Sequence, residues 1–190
     1  MVVATPDRSR AFTANIKSGS MSALDLKTGK SLGDVKTGAG AEGIDISPDG
    51  KQVWVTNREA DTVTVVDAQS LQVIGSIASA KFPIRAKVTP DGKRALVSNA
   101  MSGDMSVITT ADRKVEQTLK FSLDGKDGGP IVGVLIDPEG KRAYVAHVQT
   151  SQISIVDLSS WKQVGTITVG KGPDGMAYSK LPMQAAASGR

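Results

Sequence analysis

The sequence predicts an all-β chain, a β-propeller of four-stranded antiparallel blades, about four blades plus one extra inner strand, and three observations carry this. One phrase occurs four times: TPDRSRAFTAN (Thr5 to Asn15), SPDGKQVWVTN (Ser47 to Asn57), TPDGKRALVSN (Thr89 to Asn99) and DPEGKRAYVAH (Asp137 to His147). Each copy is followed by a second shared phrase: SMSALDLKTGK from Ser20, TVTVVDAQSLQ from Thr62, DMSVITTADRK from Asp104 and QISIVDLSSWK from Gln152. The spacing is regular, Pro6, Pro48 and Pro90 recurring at about 42 residues and Pro138 after a somewhat longer interval.

The second repeat shows why each element forms. Gly43 to Ser47 (GIDIS) is a short β-prone run. Pro48 then presets φ and Gly50 accepts positive φ, which makes PDG a tight turn. Gln52 to Asn57 (QVWVTN) is a second strand, rich in β-branched and aromatic residues. After the turn Arg58 to Asp61 comes a third strand, Thr62 to Asp67, then the turn AQSL, then a fourth strand, Gln72 to Ile77. Short strands joined by short turns make an antiparallel meander. Apolar residues fall on both faces, as at Val53, Trp54 and Val55, which suits a blade held between two others.

The other copies follow the same plan. Inner strands are expected at Met1–Ala4, Ile44–Ser47, Arg85–Thr89, Val132–Asp137 and Gly175–Ser179. This places the repeats in 1–180, with blades over about 1–36, 42–77, 84–120 and 132–168, a fifth inner strand at 175–179, and a loose tail over 181–190. A helical reading fails, because turn signals recur about every ten residues and no window sustains a 3.6-residue period.

Composition narrows the function classes. The formal charge of +4 is spread among acidic neighbours, as in Asp91-Gly92-Lys93-Arg94, so a mixed solvated surface is expected and no specific nucleic-acid face. Aromatics at 4% leave little material for base stacking; Trp54 and Trp161 read as packing residues. The absence of cysteine excludes disulfides, zinc thiolate sites and cysteine nucleophiles. No stretch is long and apolar enough for a membrane-spanning helix, and MVVATPDRSR lacks the pattern of a signal peptide.

The phrases WVTN (Trp54–Asn57), LVSN (Leu96–Asn99), YVAH (Tyr144–His147) and FTAN (Phe12–Asn15), with TVTVVD and QISIVD after them, resemble the YVTN-type β-propeller repeat family. The Gly-His and Trp-Asp pairs of WD40 arrays are absent. The resemblance implies a periplasmic or extracellular protein, related to surface proteins and to propeller subunits near quinone- or haem-dependent oxidation systems. Members of that family have about seven blades and are secreted. A chain of about four blades is therefore expected to be either an incomplete ring, a piece of a longer protein, or half of an oligomeric ring closed by a homodimer, since bare blade faces should not remain in water.

Residues leading into the inner strands line the mouth of the central channel on this plan. Glu42, Arg85 and Asp174 are the candidates for a converging ligand site; the alternative is that they only hydrate the channel. His147, the one histidine, replaces the Asn that ends the second strand elsewhere and faces the same end. It is a conceivable general base or ligand group, or else a cap on its turn. A lone histidine supplies neither a multi-histidine metal site nor, from spacing alone, a nucleophilic triad. The surplus of the third interval falls in Phe121 to Val132, where Asp124 and Asp127 share a Gly-rich turn. Lys126 interrupts the acidic order of a calcium loop, so loop elaboration without metal is expected. The reading is a non-enzymatic binding or scaffold propeller, with no catalytic residue, metal or cofactor, that takes a protein or small polar ligand at the channel mouth. The alternative is a propeller subunit, or a lactonase-like hydrolase, of an oxidative catabolic system.

Overall fold

A computed structural model describes residues 1–179; the tail expected over 181–190 lies outside the described residues. Four antiparallel sheets of four strands follow one another along the chain. Blade 1 holds β1 (Val2–Ala4), β2 (Arg10–Asn15), β3 (Ser20–Asp25) and β4 (Ser31–Lys36). Blade 2 holds β5 (Ala41–Ile46), β6 (Gln52–Asn57), β7 (Thr62–Asp67) and β8 (Val73–Ala78). Blade 3 holds β9 (Pro83–Val88), β10 (Arg94–Asn99), β11 (Asp104–Thr109) and β12 (Val115–Lys120). A small hairpin, β13 (Ser122–Leu123) with β14 (Lys126–Asp127), uses the surplus residues. Blade 4 holds β15 (Ile131–Ile136), β16 (Arg142–His147), β17 (Gln152–Asp157) and β18 (Lys162–Thr168).

The PDG turns set the register between first and second strands. Gly50, Gly92 and Gly140 have φ of +73°, +72° and +66°, a region that favours glycine. The worn first copy places Arg8 there, at φ 59°, with the same turn bond, Arg8 N–H to the Thr5 carbonyl at 2.8 Å. The turn aspartates accept backbone N–H groups, Lys51 on Asp49 and Lys93 on Asp91, both at 3.0 Å.

Packing is between blades. Phe12, Met21 and Ala23 of blade 1 meet Ile44, Val53, Val55 and Val66 of blade 2. Trp54, Val63 and Val65 of blade 2 meet Ala86, Ala95, Val97 and Ile108 of blade 3. Leu96, Met105 and Val107 of blade 3 meet Ile131, Val134, Val145 and Val156 of blade 4. In blades 2 and 3 alternate residues of the central strands thus serve opposite neighbours, and each fully buried Val, Leu, Ile, Met or Phe side chain contributes about 1.5–3 kcal/mol.

The expected fifth inner strand is not formed. Gly175 to Ser179 carry no strand, because a strand exists through its ladder and no second strand of a fifth blade lies among the described residues. The chain nonetheless runs through the expected slot. A Cβ on Gly133 would lie 1.8 Å from the Asp174 carbonyl oxygen, just as one on the equivalent Gly43 would lie 2.5 Å from that of Ile84.

Candidate functional site

Three inner strands break register near their start: β5 between Ala41 and Ile44, β9 opposite Ser98 and Asn99, and β15 between Ile131 and Val134. Such a bulge re-aims side chains; Glu42 lies within the break of β5, and Arg85 directly follows Ile84, the residue skipped in β9. Glu42 takes one guanidinium on each oxygen. Arg58 donates through Nη1 to Oε2 at 2.6 Å, and Arg85 through Nη1 to Oε1 at 3.3 Å. Arg85 reaches on through Nη2 to both Asp174 oxygens, at 3.3 Å each, and holds the Ile84 carbonyl at 3.1 Å. Residues from three distant stretches therefore converge, as the sequence leads one to expect of Glu42, Arg85 and Asp174.

Sequence reasoning missed Arg58, which it placed in a turn without a role. Its position after Asn57, at the same end as the blade-joining loops, was the available signal. The Arg58 guanidinium also lies 5.2 Å from the centroid of the Phe82 ring, which adds a cation–π contact. Glu42 and Arg85 are largely buried, whereas the Asp174 side chain is 50% exposed. Both Arg85 contacts are 3.3 Å, long for a charge-assisted bond, and they differ in surroundings: burial shields the inner one, and solvent screens the outer one. Three residues beyond Glu42 along β5, Asp45 accepts the Val88 N–H at 2.8 Å and the Lys87 ammonium at 3.3 Å. Burial pushes the Asp45 carboxyl above the usual carboxylate range, against the pull of Lys87.

His147 does not join this group. It is fully buried, with Nδ1 2.8 Å from the Gly128 carbonyl and Nε2 2.8 Å from the Ser154 hydroxyl. The carbonyl can only accept, so Nδ1 carries the proton and Nε2 accepts from Ser154. Phe121 packs edge-on against the ring at 5.3 Å, and burial pushes the imidazole below its ordinary pKa. As a ligand-site residue His147 is therefore corrected: its nitrogens are spent on Ser154 of blade 4 and on Gly128 of the loop leading into it, and the ring is fully buried. It does the work of its Asn counterparts. Asn15, Asn57 and Asn99 donate to the hydroxyls of Ser22, Thr64 and Ser106 at 2.8, 2.9 and 2.9 Å, and His147 engages the hydroxyl at the same offset.

Asp127 caps the Gly129 N–H at 2.9 Å, and no cluster of three metal-ligating side chains occurs among the described residues. At the opposite end of the blades a crevice of ≈ 520 Å³ opens between the PDG turns of blades 1 and 2. Its arginine is already engaged: Arg10 donates to the Ala68 and Gln69 carbonyls at 2.7 and 2.9 Å. Hydrogen bonds from Thr5 and Ser9 hold the Asp7 carboxyl down to about 2. This crevice is built from turn chemistry, and the charged mouth is the better candidate.

Residues 2–84 match the family described as YNCE-like beta-propeller. Among solved structures, a chain of Kuenenia stuttgartiensis hydrazine synthase is similar, with 29% identity and a TM-score of 0.82 over 88% of this chain and 48% of that one. This chain thus spans about half the length of that neighbour. No curated protein matches. Repeats, sheet order and both similarities agree that the chain is a β-propeller chain of four complete blades among its described residues.

Proposed function

We propose that this chain is a YVTN-type binding propeller of the periplasm or cell surface, which takes a small carboxylate-bearing ligand at the channel mouth. The convergence of Glu42, Arg85 and Asp174 carries this reading. Arg85 is anchored on one side by buried Glu42 and aimed by its second nitrogen at a half-exposed carboxylate 3.3 Å away. An incoming carboxylate can take the place of Asp174 on Arg85 at small cost, because the exposed pair it replaces is weak. Arg85 Nη2, preset because Nη1 is held by Glu42 and the Ile84 carbonyl, then offers a charge-assisted contact that favours a carboxylate.

The test is calorimetric titration with succinate, glutamate and citrate. Saturable binding to the unaltered chain, weakened at least about tenfold by Arg85→Ala, is expected from the loss of one charged hydrogen-bonded contact. No saturable heat with any of the three, or equal affinity in the variant, overturns the reading. A second reading, a propeller within an enzyme of oxidative metabolism, is favoured by the likeness to hydrazine synthase. It predicts that the blades dock onto a catalytic partner rather than bind these acids.

A further inference from the structure

At the PDG-turn end a crevice opens between each pair of successive blades. The residue that begins the second strand of the earlier blade lines it: Arg10 between blades 1 and 2, Gln52 between blades 2 and 3, Arg94 between blades 3 and 4. Arg142 holds the same place in blade 4, so glutamine in blade 2 is the exception. In the first crevice the Arg10 guanidinium is spent on the Ala68 and Gln69 carbonyls of the turn after β7. In the third, Arg94 donates to Glu116 at 2.6 Å and lies 5.5 Å from the centroid of the Trp161 ring. In the second crevice Thr110 and Ala111, in the turn after β11, stand where Ala68 and Gln69 stand in the first. One backbone bond ties both turns down: Thr110 N–H to the Lys93 carbonyl at 3.0 Å, and Ala68 N–H to the Lys51 carbonyl at 2.8 Å. Yet no described residue donates a hydrogen bond to the Thr110 or Ala111 carbonyl. Gln52 makes none with them, and its Oε1 is buried without a partner. Asp49 and Asp91 also line this cavity of ≈ 290 Å³, and among the described residues no basic side chain does. Arg113, from the same turn as Thr110, packs against blade 2 instead, its Cδ 2.5 Å from the place a Cβ on Gly75 would take.

We propose that the crevice between blades 2 and 3 is a binding site for a guanidinium group, carried either by a small molecule or by an arginine side chain of a partner protein. The crevice keeps the acceptors that hold a guanidinium in its neighbour and lacks the arginine that would fill them. A guanidinium presents several N–H donors in one plane, so it can serve the two carbonyls and the Gln52 oxygen together. Unpaired acceptors of this kind are costly to leave unmade, and a bound donor relieves that cost. The Asp49 and Asp91 carboxylates supply the opposite charge. The volume is at the low end for ligand pockets, which suits one side chain or a small cation. The site lies at the opposite end of the blades from Glu42, Arg85 and Asp174 and does not depend on the reading of that mouth.

The test is an amide NMR titration of the isotope-labelled full chain with methylguanidinium, with a capped tripeptide of arginine between two alanines, and with tetramethylammonium. Saturable shifts of the Gln52 side-chain amide and of the Thr110 to Arg113 amides are expected with the guanidinium probes. None are expected with tetramethylammonium, which carries the charge and donates no hydrogen bond. Tighter binding of the tripeptide assigns the site to a partner's arginine, and equal binding assigns it to a small cation. Gln52→Arg supplies the residue that the other three blades carry, so it is expected to fold and to abolish the Thr110 to Arg113 shifts. Asp91→Asn keeps an acceptor for its turn and is expected to weaken binding about two- to fivefold through the lost charge. No saturable shift with either guanidinium probe, the same shifts with tetramethylammonium, or unchanged binding in both variants overturns the proposal.

Discussion

Removing the imidazole of His147 should destabilise blade 4 strongly, and replacing it with asparagine should not. In His147→Ala the Gly128 carbonyl and the Ser154 hydroxyl, each 2.8 Å from the ring, lose their partner in a fully buried site. The Phe121 ring loses its edge contact at 5.3 Å. An unmade buried hydrogen bond plus a cavity of this kind costs about 2–5 kcal/mol. Asparagine is the resident of this position in the other three blades, where it reaches the equivalent hydroxyl, so His147→Asn keeps the Ser154 bond and should cost about 1–2 kcal/mol, mainly in volume. The two chains should also differ in pH dependence. The folded imidazole is held below its ordinary pKa of 6.5 by burial, so the unfolded chain binds more protons just below that value. Stability then falls as pH drops beneath 6.5, by at most about 1.4 kcal/mol per pH unit, down to the folded pKa. Urea melts of both chains between about pH 5 and 7.5 should show this slope in the unaltered chain and its loss in His147→Asn. Equal slopes in the two chains, or an alanine variant as stable as the asparagine one, would refute the assignment of His147 as a neutral internal tie.

Three further substitutions follow from the repeat. Arg8→Gly should raise the urea midpoint, by about 0.5–1 kcal/mol of stability, because it puts glycine where the other turns have it and relieves a φ of 59°. An unchanged or lower midpoint would mean that Arg8 makes compensating contacts. Gly43→Ala should cost about 2–3 kcal/mol in the same assay, since its Cβ would press on the Ile84 oxygen, Thr56 Oγ1 and Arg85 Cα, all within 2.9 Å and all held by paired strands. Gly133→Ala, though its Cβ would come closer still to the Asp174 oxygen, should cost under about 1 kcal/mol, since a segment outside any sheet can yield. Similar losses in both would contradict that difference.

Much of the fold was legible before any coordinates. The PDG turns, the period-two strands and the recurrence of whole phrases are local signals, and turn chemistry with β-propensity converts them directly into a meander of four strands. Glu42, Arg85 and Asp174 were legible for the same reason: a repeat assigns every residue a place within its blade. What the repeat could not assign was company. Arg58 joins Glu42 because the bulge in β5 and the turn after β6 meet at one corner, a matter of register between strands. His147 withdraws from the channel mouth because Gly128, in a loop of altered length, comes back over its ring. The stretch after Asp174 reads as a strand and is not one, since a strand requires a neighbour that its own residues cannot supply. The order of residues determined the blade, because its turns and strands are formed by contacts close in sequence. Tertiary structure decided which polar groups are spent within the blades and which stay available at their rim, because that depends on which elements pack face to face.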